Sequence, residues 1–383
     1  DHRDLHLSFR RQRQMCIRDR ADIDLSAIKH NVMELKKNIV PSRFCAVVKA
    51  DAYGHGAVPV ARAAVEGGAD WLAVALVEEG RELRNAGIEV PILLLSEPRP
   101  TEMVEVVECG LVPTVYSGEG VSAAAAAASA AQTKLNVHLK IDSGMRRVGA
   151  EPEFAVSLAQ SIAQREHLEL EGVWTHCAVA DDVDNPFSNR QLSIFNHVIE
   201  DLNQNEVQIK ICHAANSALA LNFSTGLYDM VRCGIATYGI SPAHGWSQNI
   251  KLMPAMSLRS EVSFTKIISA GEGVSYGLAW SAPKDTRIAT VPMGYADGLR
   301  RNFGRQGGKV LIRGKKLPIV GNITMDQFLV DCGDTEVLPG DEVVLIGSQL
   351  GQKITATEWA ECLDTIPYEI ICGIESRIPR RYI

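Results

Sequence analysis

Read as a pattern of apolar and polar positions, the chain changes character once. Up to about residue 253, short apolar runs alternate with stretches of helical period. The runs lie near 43–49, 71–76, 91–95, 112–115, 136–141, 169–176, 208–213 and 230–236. Helical patterns at 57–66, 77–86, 101–109, 118–132, 151–165 and 187–203 separate most of them. Another spans Leu25–Ile39, with Ser26 as its expected N-cap. The alanine run 123–128 sits inside one helix and needs only helix propensity to explain it. Apolar runs joined by helices predict a (β/α)8 barrel. A doubly wound open sheet is the competing topology, but no GxGxxG follows the first run.

Beyond residue 253 the runs become short, β-rich and broken by Gly, Pro and Asp: Leu258–Ile268, Arg287–Pro292, Lys309–Ile312, Leu317–Val320, Gln327–Asp331 and Glu342–Gly347. They predict a separate all-β domain. The expected class is therefore α/β, with an N-terminal (β/α)8 TIM-type barrel over residues 21–253 and a C-terminal mainly-β domain over 254–383. Residues 1–20 stand apart. Six arginines and three aspartates give them a net charge of +3, and they lack the long apolar segment and cleavage site of a secretory signal. They read as a disordered or non-native tail.

Composition narrows the function by exclusion. With 383 residues, 46% of them hydrophobic, the chain exceeds one small core. A net charge of -7 and a pI near 5.9 favour neither nucleic acid nor an anionic membrane as partner. No apolar run approaches a membrane span. Nine scattered cysteines without a CxxC pair read as reduced thiols of a cytoplasmic protein, not as a disulfide framework or a metal site.

The barrel reading locates the chemistry, because catalytic residues sit at the C-terminal ends of barrel strands. Unusual polar residues fall there: Lys49 ends the first run, Lys140, Asp142 and Arg147 lie at or just past the end of the fifth, His176 ends the sixth, His213 to Ser217 follow the seventh and Arg232 lies on the eighth. A lysine at the end of a buried strand is costly to keep charged, and a neutral amine can form a Schiff base. The plainer reading is a rim lysine paired with Asp51. His138, Lys140 and Asp142 alternate on one face, and an inward Lys140 needs a counter-charge, for which Asp142 is at hand.

The stretch Ala46-Val-Val-Lys-Ala-Asp-Ala-Tyr-Gly-His-Gly56 resembles the cofactor-attachment segment of alanine racemases, and further motifs in chain order over residues 21–383 resemble the same family. The resemblance implies pyridoxal phosphate held by Lys49, with Tyr53 at its phosphate. In Ile141-Asp-Ser-Gly-Met-Arg-Arg-Val-Gly149, Arg147 takes the place of the arginine near the substrate carboxylate, and Arg146 reads as a solvated loop charge. The family lysine matching Lys140 is carbamylated, an alternative to pairing with Asp142. His176 matches the histidine against the cofactor ring, although Cys177 stands where an aromatic is common. Asn216, Ser217, Gly234 and Ile235 match the phosphate neighbourhood; the alternative for Ser217 alone is a helix cap. Arg232, in Val231-Arg-Cys-Gly-Ile-Ala-Thr-Tyr-Gly239, matches the arginine facing the pyridine nitrogen.

The same resemblance places Tyr276, from Val274-Ser-Tyr-Gly277, as the second catalytic base, supplied by the partner subunit of a homodimer with shared active sites. Met325 and Asp326 match residues on the substrate side, Tyr295 the entrance, and Tyr368 a phosphate contact that crowds the substrate side chain. Asn322 stands where the family often has arginine. The implied reaction is interconversion of L- and D-alanine by two-base α-proton transfer, which supplies D-alanine for bacterial peptidoglycan. A related racemase of broader or serine preference, a decarboxylase of similar build, and a protein that only holds the cofactor are the rival readings.

Overall fold

The computed structural model describes residues 19–223, 225–242 and 250–383. Of the tail read as disordered or non-native over residues 1–20, residues 1–18 lie outside the described residues, and Arg20 belongs to a strand. The chain divides into a barrel unit, Leu25–Pro254, and a β unit formed by Ala255–Ile383 together with the strand Arg20–Ile23.

In the barrel unit the eight expected strands are Arg43–Val47, Trp71–Val74, Ile92–Leu94, Thr114–Val115, Leu135–Lys140, Leu168–Trp174, Ile211–His213 and Met230–Cys233. Register joins the first three strands to the eighth in one sheet and the fourth to the seventh in another, all parallel. Two seams close the ring. Leu93 bridges Val112, and the Asp229 and Arg232 N–H groups donate to the Cys212 and Ala215 carbonyls at 3.0 and 2.9 Å. A closed sheet removes the doubly wound alternative. Closure also explains the continuous apolar runs, since each strand is covered on both faces. Phe44, Leu72, Leu93, Leu139 and Val173 are fully buried.

The helices fall near their expected positions, Ala57–Glu66 among them. Ser26 is not a cap: it lies inside the helix Leu25–Asn38. Asn216, not Ser217, caps the short helix Ser217–Asn222, accepting from the Leu219 N–H at 2.9 Å.

The β unit corrects three expectations. The Ala21-Asp-Ile segment is not barrel: Arg20–Ile23 pairs antiparallel with Met256–Glu261 and parallel with Arg380–Tyr382. The run Leu258–Ile268 is two strands, Met256–Glu261 and Phe264–Ile268, which pair with Glu342–Gln349 and Thr286–Val291 respectively. The unit also holds two helices, Ala356–Leu363 and Pro367–Cys372, so it is mainly β and not all β. Apart from the main sheet, Gly273–Val274 and Trp280–Ser281 form a hairpin, seated on a small core of Ile268, Val274, Ala282, Ile288 and Val320. No helix among the described residues is long and apolar enough to cross a membrane.

Candidate active site

Lys49 lies two residues past the end of the first barrel strand, half-buried, where the chain makes an unusual turn. Ala50, Asp51, Ala52 and Tyr53 all have φ between 50° and 54°, a left-handed helical turn built without glycine. Such residues cost roughly 1–2 kcal/mol each, so the surroundings must hold the turn in place. Glu79 Oε1 accepts from the Ala50 N–H at 2.6 Å, and Asp51 Oδ1 accepts from the Ala57 N–H at 2.7 Å. The Asp51 carboxylate thus anchors the following helix.

The turn presents the Tyr53 ring, which is buried against Tyr238 with ring centroids 4.8 Å apart. Tyr238 is itself fixed by a 2.8 Å hydrogen bond from its hydroxyl to the Val47 carbonyl. The Tyr53 hydroxyl lies so close over Gly234 that a Cβ there would sit 2.4 Å from it. Ser217 Oγ accepts from the Gly234 N–H at 2.9 Å and the Ala236 N–H at 3.4 Å. Ile235 opens the short helix Ile235–Tyr238. Two hydroxyls and a run of backbone N–H groups therefore converge where only glycine fits. This neutral donor set suits a phosphate.

Arg232 is buried behind this cradle. Its Nη1 lies 2.7 Å from His213 Nδ1, and its Nη2 donates to the Thr175 and Ala214 carbonyls at 2.8 and 3.0 Å. The guanidinium also packs on the Trp174 ring at 4.6 Å. Burial pulls its pKa down to about 10, which still leaves a cation at neutral pH. Burial pushes the neighbouring Cys177 and Cys233 thiols up to about 11 and 12, so they offer no anion. His176 Nδ1 lies 3.4 Å from Arg232 Nη2. Burial, with the charges of Arg232, Arg147, Lys140 and Lys49, holds His176 well below the usual histidine range and hence neutral.

Lys140 is buried with its Nζ 4.2 Å from the centre of the Trp174 ring. Burial, aided by Arg147 and Arg232, pulls its pKa down to about 7. Asp142 does not meet it as an ion pair; Oδ1 accepts from the Gly144 and Arg146 N–H groups at 2.9 and 3.0 Å. Arg146 pairs at the surface with Glu151, at 2.7 Å from Oε2, in keeping with a solvated loop charge. Arg147 is exposed, close enough to Lys140 and His176 for its charge to act on both.

The remaining candidates lie in the β unit. Tyr276 sits in the turn of the Gly273–Ser281 hairpin and is 72% exposed. Ser275 before it is forced to φ 61°. A reciprocal clamp holds that turn: Ser275 Oγ donates to the Asn322 carbonyl at 2.5 Å, and Asn322 Nδ2 donates to the Tyr276 carbonyl at 2.8 Å. Asn322, where arginine was expected, thus has a structural task. Tyr295 and Met325 sit on interlocked loops, with the Tyr295 and Ala296 N–H groups donating to the Thr324 and Met325 carbonyls at 2.9 and 3.0 Å. Arg377 ties the same loops together, at 2.9 Å from buried Asp297 and 3.0 Å from Asp326. Tyr368 is half-buried on the helix Pro367–Cys372.

The barrel unit therefore gathers Tyr53, Ser217 and Gly234 in one cradle and Lys140, His176 and Arg232 around Trp174. It sets Lys49 and Arg147 beside that second group, close enough for their charges to act on it. Tyr276, Tyr295, Met325, Asp326 and Tyr368 belong to the other unit. Sequence reading missed His213 and Tyr238 as partners of Arg232 and Tyr53. His213 had a signal, a histidine closing a buried strand; Tyr238 had none beyond its aromaticity.

Comparison with known proteins identifies the family. The family model described as "Alanine racemase, N-terminal domain" matches residues 23–242, and that for the C-terminal domain matches residues 255–382. The alanine racemase of Symbiobacterium thermophilum is 45% identical over 363 residues, covering 94% of this chain and 96% of its own. The crystal structure of alanine racemase from Streptomyces lavendulae superposes with a TM-score of 0.91 at 39% identity, covering 96% of this chain and 97% of that one. A histidine racemase from Leuconostoc mesenteroides superposes with a TM-score of 0.87 at 28% identity, over 96% of this chain and 98% of its own. By two family models that together span nearly the whole described chain, and by relatives matched over almost their full length, the chain belongs to the alanine racemase family.

Proposed function

We propose that the protein interconverts L- and D-alanine, with pyridoxal phosphate bound through Lys49 and with Lys49 and Tyr276 as opposed bases. One observation carries this reading. A lysine at the barrel mouth stands on a strained turn whose tyrosine joins a neutral phosphate cradle that only glycine at 234 leaves open. When bound, the cofactor withdraws electrons from the α-carbon of an attached amino acid and so acidifies its α-proton.

The chain's own residues do the rest. Tyr53, Asn216, Ser217 and the N–H groups of Gly234 and Ile235 would hold the phosphate, with Tyr368 assigned to it by the family resemblance. His176, kept neutral, lies against the ring. Arg232, a cation that keeps its proton, would face the pyridine nitrogen and leave it unprotonated, an electronic setting that would suit proton exchange over transamination. Arg147 anchors the substrate carboxylate, with Met325 and Asp326 on the substrate side and Tyr295 at the entrance. With a pKa near 7, Lys140 is partly a free amine. It adds to carbon dioxide, an N–C bond forms, one proton leaves to solvent, and the resulting carbamate answers the charge of Arg147. One base removes the α-proton while the other returns a proton on the opposite face. Tyr368 and Met325 leave room only for a short side chain. The D-alanine formed would serve cytoplasmic synthesis of peptidoglycan precursors.

A racemisation assay over alanine, serine, histidine and other amino acids tests the substrate, since the fold alone also belongs to a histidine racemase. Alanine should show the highest kcat/KM; a higher value for another amino acid contradicts the assignment.

Tyr276 and Lys49 lie in different units, and we assign the Tyr276 that serves each Lys49 to the partner subunit of a homodimer. Mixing inactive Lys49→Ala with inactive Tyr276→Phe subunits should then restore part of the activity, because one heterodimer site carries both bases. No recovery in verified heterodimers would assign both bases to one chain.

Asn322→Ala should lower kcat by up to about tenfold, since it removes one hydrogen bond of about 0.5–1.5 kcal/mol from the Tyr276 turn. The absorbance band of the bound cofactor should not change. An unaltered kcat would show that the turn holds without Asn322.

A further inference from the structure

One set of buried polar groups inside the barrel is not used by the chemistry above. Beyond Arg232, His213 Nε2 lies 2.8 Å from His138 Nδ1, and His138 Nε2 faces Glu171 Oε2 at 3.6 Å. Both imidazoles are fully buried, and His213 stacks on Trp174 with ring centroids 5.5 Å apart. The strand beside them is shaped to admit His138. A Cβ on Gly172 would sit 2.5 Å from its Nδ1 and Cε1. Glycine weakens a strand interior, so room for this ring is a physical reason for it.

Donor chemistry gives the chain one direction. A guanidinium only donates, so His213 Nδ1 must accept and its proton must sit on Nε2. That N–H donates to His138 Nδ1, which therefore also accepts, and the His138 proton is left on Nε2, facing Glu171. His138 Nε2 and Glu171 Oε2 are each buried without a hydrogen-bond partner and face each other at 3.6 Å, just beyond hydrogen-bond length. A doubly protonated His138 would set an N–H against that of His213, so both rings stay neutral. Burial and the charge of Arg232 act the same way on both.

We propose that His213, His138 and Glu171 are positioning residues of the active site. The two histidines form a one-way hydrogen-bond chain that orients the Arg232 guanidinium from behind, and the chain points its last N–H at the Glu171 carboxylate, which answers the charge. The proposal rests on Arg232 serving the ring nitrogen. It assigns a task to His138 and Glu171, which touch neither cofactor nor substrate.

The test uses the holoenzyme labelled with 15N-histidine. Nuclear magnetic resonance at about pH 7 should find both His213 and His138 neutral and protonated on Nε2. Glu171→Leu removes the terminal acceptor. It should weaken pyridoxal phosphate binding at least about threefold and disturb the His138 resonances, whereas Glu171→Gln, whose carbonyl still accepts, should stay within about twofold of wild type. A proton on Nδ1 of either ring, or a Glu171→Leu protein that binds cofactor like wild type, would overturn the proposal. Wild-type protein that takes up no pyridoxal phosphate would instead overturn the reading of the site. The tautomers of the unloaded protein would then still decide the chain.

Discussion

Lys49→Ala is expected to lose at least about 10³-fold in racemase activity and the visible absorbance of lysine-bound pyridoxal phosphate with it. Both losses have one cause, since the same amine would hold the cofactor and serve as a base. The left-handed turn from Ala50 to Tyr53 is strained, and Glu79 and Asp51 hold it so that lysine and phosphate cradle keep a fixed separation. Alanine at 49 removes the amine and leaves that turn intact, so the protein should still fold. Lys140 is the rival amine, because burial also brings it near neutrality. Borohydride reduction of the wild type followed by peptide mapping separates the two. The cofactor should be found on Lys49, and a label on Lys140 would overturn the assignment.

The second large effect concerns Tyr276. Tyr276→Phe keeps the ring and removes only the hydroxyl, from a side chain already 72% exposed in its own unit. Folding should therefore be unaffected, and unchanged thermal unfolding would verify this. Net racemisation should fall by about 10²–10⁴-fold in both directions, because each direction needs one base and one acid. Bound cofactor should persist, since Lys49 is untouched. Loss of the cofactor band would move Tyr276 from proton transfer to cofactor retention.

The parts of this account that were legible in the sequence share a physical reason. Strands covered on both faces leave uninterrupted apolar runs, so all eight barrel strands could be located. Lys49, His176 and Arg232 stood out because polar residues at the ends of such strands are unusual. The left-handed turn was not legible: Ala-Asp-Ala-Tyr carries no glycine to advertise a positive φ, and only tertiary hydrogen bonds maintain it. Of the strand Arg20–Ile23, Ala21 onward was given to the barrel and Arg20 to the tail, because a short alternating segment does not say which sheet will pair with it. Ala356–Leu363 did carry a helix signal, Thr355 three residues before Glu358, and the cap forms, with Thr355 Oγ1 accepting from the Glu358 N–H at 3.0 Å. His138 was placed on one face with Lys140 and Asp142, but its links to His213 and Glu171 were not legible, because contacts across three strands have no local signature.

Exchange of the α-proton in heavy water, followed separately for L- and D-alanine with the Tyr276→Phe protein, tests the two-base claim most directly. The two enantiomers present their α-protons to opposite faces of the cofactor plane. Tyr276 is assigned to the L-isomer and Lys49 to the D-isomer. D-alanine should still exchange with retention of configuration, and L-alanine should exchange far more slowly. Equal loss for both enantiomers would contradict the account and point to one mobile base or to collapse of the site.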